Sequence, residues 1–225
     1  MKIGILQTGH VPSQMQIMIG DYLEMYQTLF SGCNFNFVTY DIENMNFPSS
    51  PFEAEGWLIT GSRHGVYEDH KFIQPLEEFI RSIEQEKIPL LGICFGHQII
   101  AQALGGKVEK FSGGWSVGLK EYKWGNESIH LNAWHQDQVV KKPKKAKVLA
   151  ENSFCKYAAL SYGDTILTTQ PHPEFTHEVI KSLIETRGKG RVPEHLLDQA
   201  LNNFEKKTSL NEIVAKFSSV LNGAR

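Results

Sequence analysis

Short apolar runs alternate with stretches of helical spacing through the first half of the chain. The runs KIGILQT, FNFVTY and GWLITGS have the composition of strands, and MQIMIGDYLEMYQTLF, between the first two, has helical spacing. A second helix is predicted where Leu76, Ile80 and Ile83 recur on one face. The segment KIPLLGI that follows has no polar face, which favours a strand buried in a parallel sheet. Together these segments predict strand–helix–strand units around a largely parallel sheet.

The pattern changes between Lys107 and Thr169, where turn signals separate the short runs VGLKEYKW, SIHLNAW, AKVLAEN and ILTTQ. These runs predict antiparallel hairpins or an extra layer added to the sheet. The last fifty residues return to helical spacing in apolar stripes, one of which ends at Phe204. We therefore predict a three-layer α/β fold in which helices flank a largely parallel central sheet with an added antiparallel hairpin region. Residues 1–225 would form a single domain, with the helices of 193–225 as an appended element.

Charge and cysteine content narrow the class of protein. The 225 residues contain 23 Lys and Arg against 25 Asp and Glu, a formal charge of −2, so no basic field is available for nucleic acid. Three cysteines without paired spacing disfavour a disulfide framework or a zinc site. No apolar stretch approaches the roughly 20 residues that span a bilayer, and the first residues lack a signal-peptide core. We expect a cytoplasmic protein whose partners include neither nucleic acid nor a membrane.

One cysteine stands in a sequence context that suggests reactivity. Cys94 is the centre of the pattern Gly92-Ile93-Cys94-Phe95-Gly96, between a buried strand and the start of a helix. This is the layout of a nucleophile elbow, in which glycines allow strand and helix to approach around a strained turn. The helix N-terminus favours the thiolate form of a cysteine placed there. The pattern predicts an exposed and activated Cys94, with a buried structural thiol as the alternative.

A histidine and a glutamate near residue 170 complete a candidate constellation. His172 in LTTQPHPEF follows an apolar strand, and open α/β sheets place their sites at the carboxyl ends of strands. Pro173 forces an extended backbone at His172, so the side chains of His172 and Glu174 project to the same side. Cys94, His172 and Glu174 then form a nucleophile–base–orienter triad. A histidine in a solvent-exposed turn is the alternative.

Three separated motifs resemble those of the class I glutamine amidotransferases: GICFGHQIIAQALGG, QPHPEF and LITGSRHGVYED. The resemblance covers nearly the whole chain, and it is strongest to stand-alone proteins similar to the glutaminase domain of GMP synthetase and to plant γ-glutamyl peptidases. It implies the flavodoxin-like fold of that family. It also implies that Cys94, His172 and Glu174 are its catalytic triad.

The same resemblance implies further site residues. Backbone N–H groups of Gly61 and Phe95 would form an oxyanion hole. The residues implied to bind the substrate are Gln98, Trp115, Ser116 and Val117. His135 and Asp137 resemble a histidine–acid pair that lines the same cleft, whereas His97 is expected to be structural. We expect no cofactor and no metal, since no further ligands stand at metal-site spacing around His135 and Asp137.

The resemblance implies a cysteine-dependent hydrolase. Its substrate would be the γ-amide of glutamine or of a γ-glutamyl compound, split through a γ-glutamyl thioester, with transfer to an acceptor as a variant. A second possibility is a glutaminase subunit that delivers ammonia to a separate ATP-dependent synthetase, because the chain has no P-loop pattern of its own. A distant alternative is a non-catalytic or DJ-1-like thiol protein, which leaves QPHPEF unexplained.

Overall fold

Residues 1–203 and 207–223 are described in the computed structural model of the chain, so Phe204, predicted to lie on a helical stripe, is outside the described part. The strands are β1 (Lys2–Gln7), β2 (Asn36–Asp41), β3 (Gly56–Ile59), β4 (Leu90–Ile93), β5 (Lys107–Lys110), β6 (Ser116–Trp124), β7 (Glu127–His135), β8 (Asp137–Lys141), β9 (Lys147–Glu151), β10 (Ala159–Tyr162) and β11 (Ile166–Thr169). The helices are α1 (Ser13–Ile19), α2 (Tyr22–Leu29), α3 (Ile73–Gln85), α4 (Phe95–Ala103), α5 (His177–Leu183), α6 (Glu194–Leu201) and α7 (Leu210–Leu221), and a π-helical turn, Ile184–Gly188, continues α5.

Within the described residues, one sheet of nine strands has the order β2-β1-β3-β4-β11-β10-β9-β6-β7. The strands from β2 to β11 in this order pair in parallel, and the remaining pairs are antiparallel. β5 and β8 pair separately. The predicted α/β fold with an added antiparallel region is thus confirmed. Of the two arrangements left open for that region, the β6–β7 hairpin extends the central sheet.

Helices cover both faces of the sheet, as the alternation of side chains along β3 shows. Leu58 packs into the hydrophobic cluster that also holds residues of α2, α5 and α7. Trp57 and Ile59 point the other way, into the cluster formed with α3 and α4. All three side chains are fully buried, and each contributes about 1.5–3 kcal/mol or more by leaving water. Among residues 1–203 and 207–223, no helix combines the length and apolar composition needed to cross a bilayer.

The helical pattern over residues 15–30 is interrupted, whereas the sequence pattern predicted one continuous helical stretch. Gly20 has φ 73°, and Asp21 caps a new helix by accepting a hydrogen bond from the backbone N–H of Tyr22. The Glu24 side chain accepts in return from the N–H of Asp21, at 2.8 Å. This capping box is readable in the letters GDYLE, but apolar spacing alone conceals it. The break turns Tyr22 and Tyr26 of α2 into the molecular interior.

The parallel strands bring the candidate site together at one edge of the sheet. β4 lies between β3 and β11, in parallel register with both. Gly61, Cys94 and His172 follow the carboxyl ends of these three neighbouring strands. Open α/β sheets bind their ligands at this edge, and the topology accounts for the meeting of residues far apart in sequence.

Candidate active site

Cys94 occupies a strained turn between β4 and α4. Its backbone has φ 53° and ψ −100°, a conformation that costs a non-glycine residue about 1–3 kcal/mol. The N–H of Cys94 donates to the carbonyl of Thr169 at 2.8 Å, which anchors the turn to β11. A Cβ added at Gly96 would lie 2.4 Å from the carbonyl oxygen of Ile59, so only glycine allows α4 to approach β3 this closely. The predicted elbow geometry is present.

The prediction of an exposed thiol was wrong, because Cys94 is only 6% exposed. It lies in the wall of a pocket of about 290 Å³, where segments that follow β3, β7 and α5 surround it. The side-chain amide of Gln170 donates to Sγ at 3.6 Å. The turn thus aims the sulfur into a cleft, and the flanking segments shield it from bulk water.

His172 hydrogen-bonds to both other members of the predicted triad. Its Nδ1 lies 2.8 Å from Oε1 of Glu174, and it also forms a side-chain hydrogen bond with Cys94. Burial lowers the pKa of His172, but the negative charges of Cys94 and Glu174 and the hydrogen bonds to them outweigh burial and raise the pKa to about 10. The structure brings the three residues together with the imidazole in the middle.

Asn132 of β7 holds the segment that carries His172, although the sequence analysis did not single it out. The backbone N–H of His172 donates to the carbonyl of Asn132 at 2.8 Å, and the Asn132 side-chain amide donates to the carbonyl of Phe175, also at 2.8 Å. The Phe175 ring stacks on the imidazole with centroids 3.9 Å apart. The available signal was a polar residue inside the apolar strand SIHLNAW. These contacts fix the plane of the imidazole ring.

Two tyrosines of α2 pack behind the triad. The Tyr26 hydroxyl donates to Oε1 of Glu174 at 3.4 Å, the oxygen that also bonds His172. Burial, and then the charge of Glu174, raise the pKa of Tyr22 and of Tyr26, so both keep their protons. A Cβ added at Gly61 would lie 2.8 Å from Cε1 of His172 and 2.9 Å from the Tyr22 hydroxyl. Gly61 therefore lies directly against the imidazole.

The two amides predicted to form an oxyanion hole flank Cys94. Phe95 is the first residue of α4, and Gly61 follows β3, which pairs with β4. Within the described residues, no backbone or side-chain acceptor takes a hydrogen bond from the N–H of either residue. The adjacent N–H of Gly96, in contrast, donates to the carbonyl of Thr60 at 3.1 Å. Both predicted donors thus lack a protein acceptor in the described part of the chain.

Gln98 and His97 lie on the first turn of α4 and differ in their surroundings. Gln98 lines the Cys94 pocket, and its amide donates to the carbonyl of Asp137 at 2.9 Å and to Oε1 of Gln170 at 3.1 Å. His97 is fully buried, with Nδ1 at 2.8 Å from the hydroxyl of Thr168. Burial lowers the pKa of His97 to about 3. His97 has the surroundings of the packing residue that was expected.

The segment 115–117 only partly faces the thiol. Trp115 lines the Cys94 pocket, whereas Ser116 lines an adjacent pocket on the other side of Trp115. Val117 is buried in the hydrophobic cluster that includes Cys94. Ser116 and Val117 of β6 pair with His135 and with Trp134 of β7, so their backbone lies beside the edge strand of the sheet.

His135 and Asp137 both lie in the wall of the Cys94 pocket. Nδ1 of His135 lies 3.2 Å from the carbonyl of Asp137, and the Tyr67 hydroxyl donates to Oδ2 of Asp137 at 3.0 Å. Burial, assisted by the charge of His172, lowers the pKa of His135 to about 3. Burial raises the pKa of Asp137. A neutral imidazole thus faces the pocket beside a partly desolvated carboxyl group.

The sequence profile of the Glutamine amidotransferase class-I family matches residues 26–187. The chain belongs to this family of class I glutamine amidotransferases. Gamma-glutamyl peptidase 2 of Arabidopsis thaliana is 28% identical over 204 residues, covering 84% of this chain and 82% of that protein. GMP synthase (glutamine-hydrolyzing) of Thermus thermophilus is 30% identical over 152 residues, which are 58% of this chain and 29% of that protein.

The fold of this amidotransferase chain also matches solved structures. A glutamine amidotransferase of Thermotoga maritima superposes with a TM-score of 0.75 over 97% of each chain, at 23% sequence identity. At this level of identity the likeness concerns the fold alone. It agrees with the α/β architecture and the sheet described above.

Positive charge in the pocket of this amidotransferase chain was not predicted. Arg187, on the π-helical turn, lines the pocket together with Arg63, Lys110 and Arg191. The Arg187 guanidinium is half-buried and donates to the carbonyl of His10 at 3.2 Å, yet no carboxylate in the described part of the chain pairs with it. Burial lowers its pKa. The basic residues of the run ETRGKGR are visible in the sequence, but apolar spacing does not show that a π-helical turn directs Arg187 inward.

Proposed function

We propose that the chain hydrolyses the γ-amide bond of glutamine or of a γ-glutamyl compound, with Cys94 as nucleophile. The observation that carries this proposal is the hydrogen-bonded row of Cys94, His172 and Glu174 beside the strained elbow. In this arrangement His172 is the base and Glu174 orients its ring. A structural thiol or a DJ-1-like thiol protein does not account for the two hydrogen bonds of His172.

The proposed reaction proceeds in two displacement steps. His172 accepts the thiol proton, and the sulfur forms a bond with the γ-carbonyl carbon. The tetrahedral adduct collapses to a γ-glutamyl thioester when the C–N bond breaks and His172 gives its proton to the departing nitrogen. Water, activated by His172, then attacks the thioester, releasing glutamate and restoring the thiol. The pKa of about 10 at His172 supports its role as the base that takes up the thiol proton.

The unpaired amides of Gly61 and Phe95 support an oxyanion hole. Each such donor contributes about 10²- to 10³-fold in rate when it points at the developing negative charge. We assign glutamyl binding to Gln98, Trp115, Ser116 and Val117, as the resemblance implies. In this assignment the side chains of Trp115 and Gln98 contact the glutamyl group inside the Cys94 pocket. Ser116 and Val117 contact it with their backbone groups next to that pocket. His135 and Asp137 line the same pocket, next to Gln98.

The cationic side of the pocket supports a substrate that keeps a free carboxylate. A half-buried guanidinium without a carboxylate partner, such as that of Arg187, favours an anionic ligand group. The α-carboxylate of a γ-glutamyl compound is such a group. The similarity to a γ-glutamyl peptidase supports the same substrate class.

A glutaminase subunit that supplies ammonia to a separate synthetase is the second candidate. It is favoured by the similarity to GMP synthase, of which the matched region is 29%. The chemistry at Cys94 is the same in both cases. The two candidates differ in whether the isolated chain is active.

The deciding experiment measures glutamate release from glutamine and from γ-glutamyl dipeptides. The wild-type chain should release glutamate from at least one of them, and Cys94→Ser should abolish release. Cys33→Ser, which removes a half-buried thiol that lies 3.2 Å from the Ser218 hydroxyl and does not line the Cys94 pocket, is the matched control and should retain activity. A glutamine-analogue electrophile should label Cys94, as detected by peptide mass spectrometry. No release and no labelling would contradict both candidates; release only with a cell extract would favour the glutaminase subunit.

A further inference from the structure

The loop that follows β3 gathers three polar side chains that the proposed hydrolysis does not use. His64, Glu68 and His70 each offer one ligand atom, and these atoms lie within 4.8 Å of one another. Nε2 of His70 lies 2.8 Å from Oε2 of Glu68, and Nδ1 of His64 lies 4.0 Å from the same oxygen. We refer to these three residues as the rim cluster, because His64 and Glu68 line the mouth of the Cys94 pocket.

A second carboxylate fixes the orientation of His64. Nε2 of His64 lies 2.8 Å from Oε1 of Glu43, and the Arg63 guanidinium donates to that same oxygen at 2.8 Å. Because a carboxylate only accepts, Nε2 of a neutral His64 carries the ring proton and Nδ1 presents its lone pair to Glu68. Two acceptors then face each other across 4.0 Å. Metal-binding histidines are commonly oriented in this way, with the outer ring nitrogen bonded to a carboxylate.

Packing and charge also favour a preformed site. The rings of His64 and His70 have centroids 4.1 Å apart, and the ring of Phe72 packs on both, stacked on His70 with an interplanar angle of 12°. The N–H of Gly65 donates to Oε2 of Glu68 at 3.1 Å, which holds this oxygen between the two histidines. The side chains are 15%, 48% and 32% exposed at His64, Glu68 and His70, which gives an ion access from solvent.

We propose that the rim cluster binds a divalent transition-metal ion of the Zn²⁺ type. Two imidazole nitrogens and one carboxylate oxygen form a three-ligand zinc set with an open fourth position. Ligand atoms at about 2.0–2.2 Å from a tetrahedral ion are about 3.3–3.6 Å apart, between the observed 2.8 Å and 4.0 Å. The ion takes the place of the proton between His70 and Glu68, and His70 then carries its ring proton on Nδ1. Mg²⁺ and Ca²⁺ fit less well, because they prefer oxygen ligands.

This site differs from the predicted His135 and Asp137 pair, and an ion bound there would overturn the expectation that the chain holds no metal. The spacing of these residues in the sequence does not predict the site, because only the bend of the loop brings His64 next to His70. The ion would add positive charge to the wall of the Cys94 pocket. Its binding does not depend on the proposed hydrolysis.

The test titrates Zn²⁺ alone into the Cys94→Ser chain. The variant is used because the Cys94 thiol lines the same pocket and would compete for the ion. Competition with a chromogenic chelator gives affinity and stoichiometry, and Co²⁺ in place of Zn²⁺ gives a visible spectrum that reports coordination geometry. One ion should bind per chain, with intense Co²⁺ bands typical of tetrahedral coordination. His70→Ala and Glu68→Gln should weaken binding at least tenfold.

Two further variants separate the rim cluster from other histidines and from folding effects. Glu43→Gln should weaken Zn²⁺ binding by about 10- to 100-fold, because the carboxylate that orients the His64 ring is lost. His195→Ala removes an exposed histidine outside the cluster and should leave binding unchanged. Circular dichroism should show that all variants are folded. If the Cys94→Ser chain binds no ion, or if His70→Ala and Glu68→Gln bind as tightly as that chain, the proposal is wrong.

Discussion

At the residue scale, the absence of a side chain at Gly61 allows the backbone to lie directly against the His172 imidazole. Gly61 has no side chain at the point where a Cβ would lie 2.8 Å from Cε1 of His172. Cys94 adopts a positive φ that its neighbours hold in place through the Thr169 carbonyl and the close contact of Gly96 with β3. At this scale the site consists of close contacts that tolerate no added atom, because backbone lies on several sides of the triad.

Gly61→Ala should lower kcat/KM for glutamate release by about 10²-fold or more. The methyl group would push His172 or the proposed oxyanion donor, the Gly61 N–H, away from its position, and an oxyanion donor is worth about 10²- to 10³-fold. Gly32→Ala is the matched control, since an added Cβ at Gly32 meets no atom within 4 Å. Steady-state kinetics and thermal unfolding should be measured on both variants. Equal kinetics for the two would contradict a role of Gly61 at the site.

Glu174→Gln should lower the pKa of His172 and reduce kcat/KM by about 10²- to 10⁴-fold. The substitution removes one of the negative charges that raise the pKa of His172, and an amide does not hold the imidazole in the same tautomer. NMR titration of His172 and glutamate-release kinetics check the two effects. Glu178→Gln makes the same chemical change at an exposed position of α5 and should alter neither. An unchanged His172 pKa in Glu174→Gln would refute this assignment of charge.

At the scale of elements, apolar periodicity predicted the strands that carry the site, because β4 and β11 are buried in the sheet and their sequences are accordingly apolar. It did not predict the break at Gly20, where hydrogen bonds of Asp21 and Glu24 outweigh a continuous apolar stripe. Nor did it predict Arg187, since a π-helical turn shifts residues away from ordinary helical spacing. The helices of 193–225 remain a predicted appended element. One of them, α6, packs closely on β6 at Gly118.

Gly118→Ala should destabilise the protein more than Gly163→Ala. Both glycines have positive φ, 77° and 61°, so each substitution carries a backbone cost of about 1–2 kcal/mol. At Gly118 the new Cβ would also lie 2.5 Å from Cβ of Ala200 in α6, whereas Gly163 faces open space. Overpacking of this kind adds about 1–3 kcal/mol. Urea unfolding measures the difference. Equal free energies of unfolding for the two variants would show that α6 moves away from the added methyl group with no loss of stability.

At the scale of the whole molecule, the carboxyl edge of the parallel strands collects buried histidines in opposite charge states. His172 lies between Cys94 and Glu174, and its interactions with them raise its pKa. His97 and His135 lack such partners, and burial lowers the pKa of each to about 3. The sequence identified these histidines as neighbours of the site through its motifs. Their charge states depend on burial and on partners from distant strands, which no local pattern contains.

These buried histidines should make the protein less stable in mild acid. Between pH 6.5 and about 3 the unfolded chain binds protons on His97 and His135 that the folded chain does not bind, so the free energy of unfolding falls as pH falls. From pH 7 to pH 5 each contributes a loss of about 2 kcal/mol. His172 acts weakly in the opposite direction, because its raised pKa adds a little stability as pH falls from 7, until the unfolded histidine is itself fully protonated. Urea unfolding at pH 7 and pH 5 should show a loss smaller by about 2 kcal/mol in His135→Asn than in the wild type. The exposed-site control His195→Asn should lose as much as the wild type, and equal losses in all three chains would mean that His135 is not held neutral by the fold.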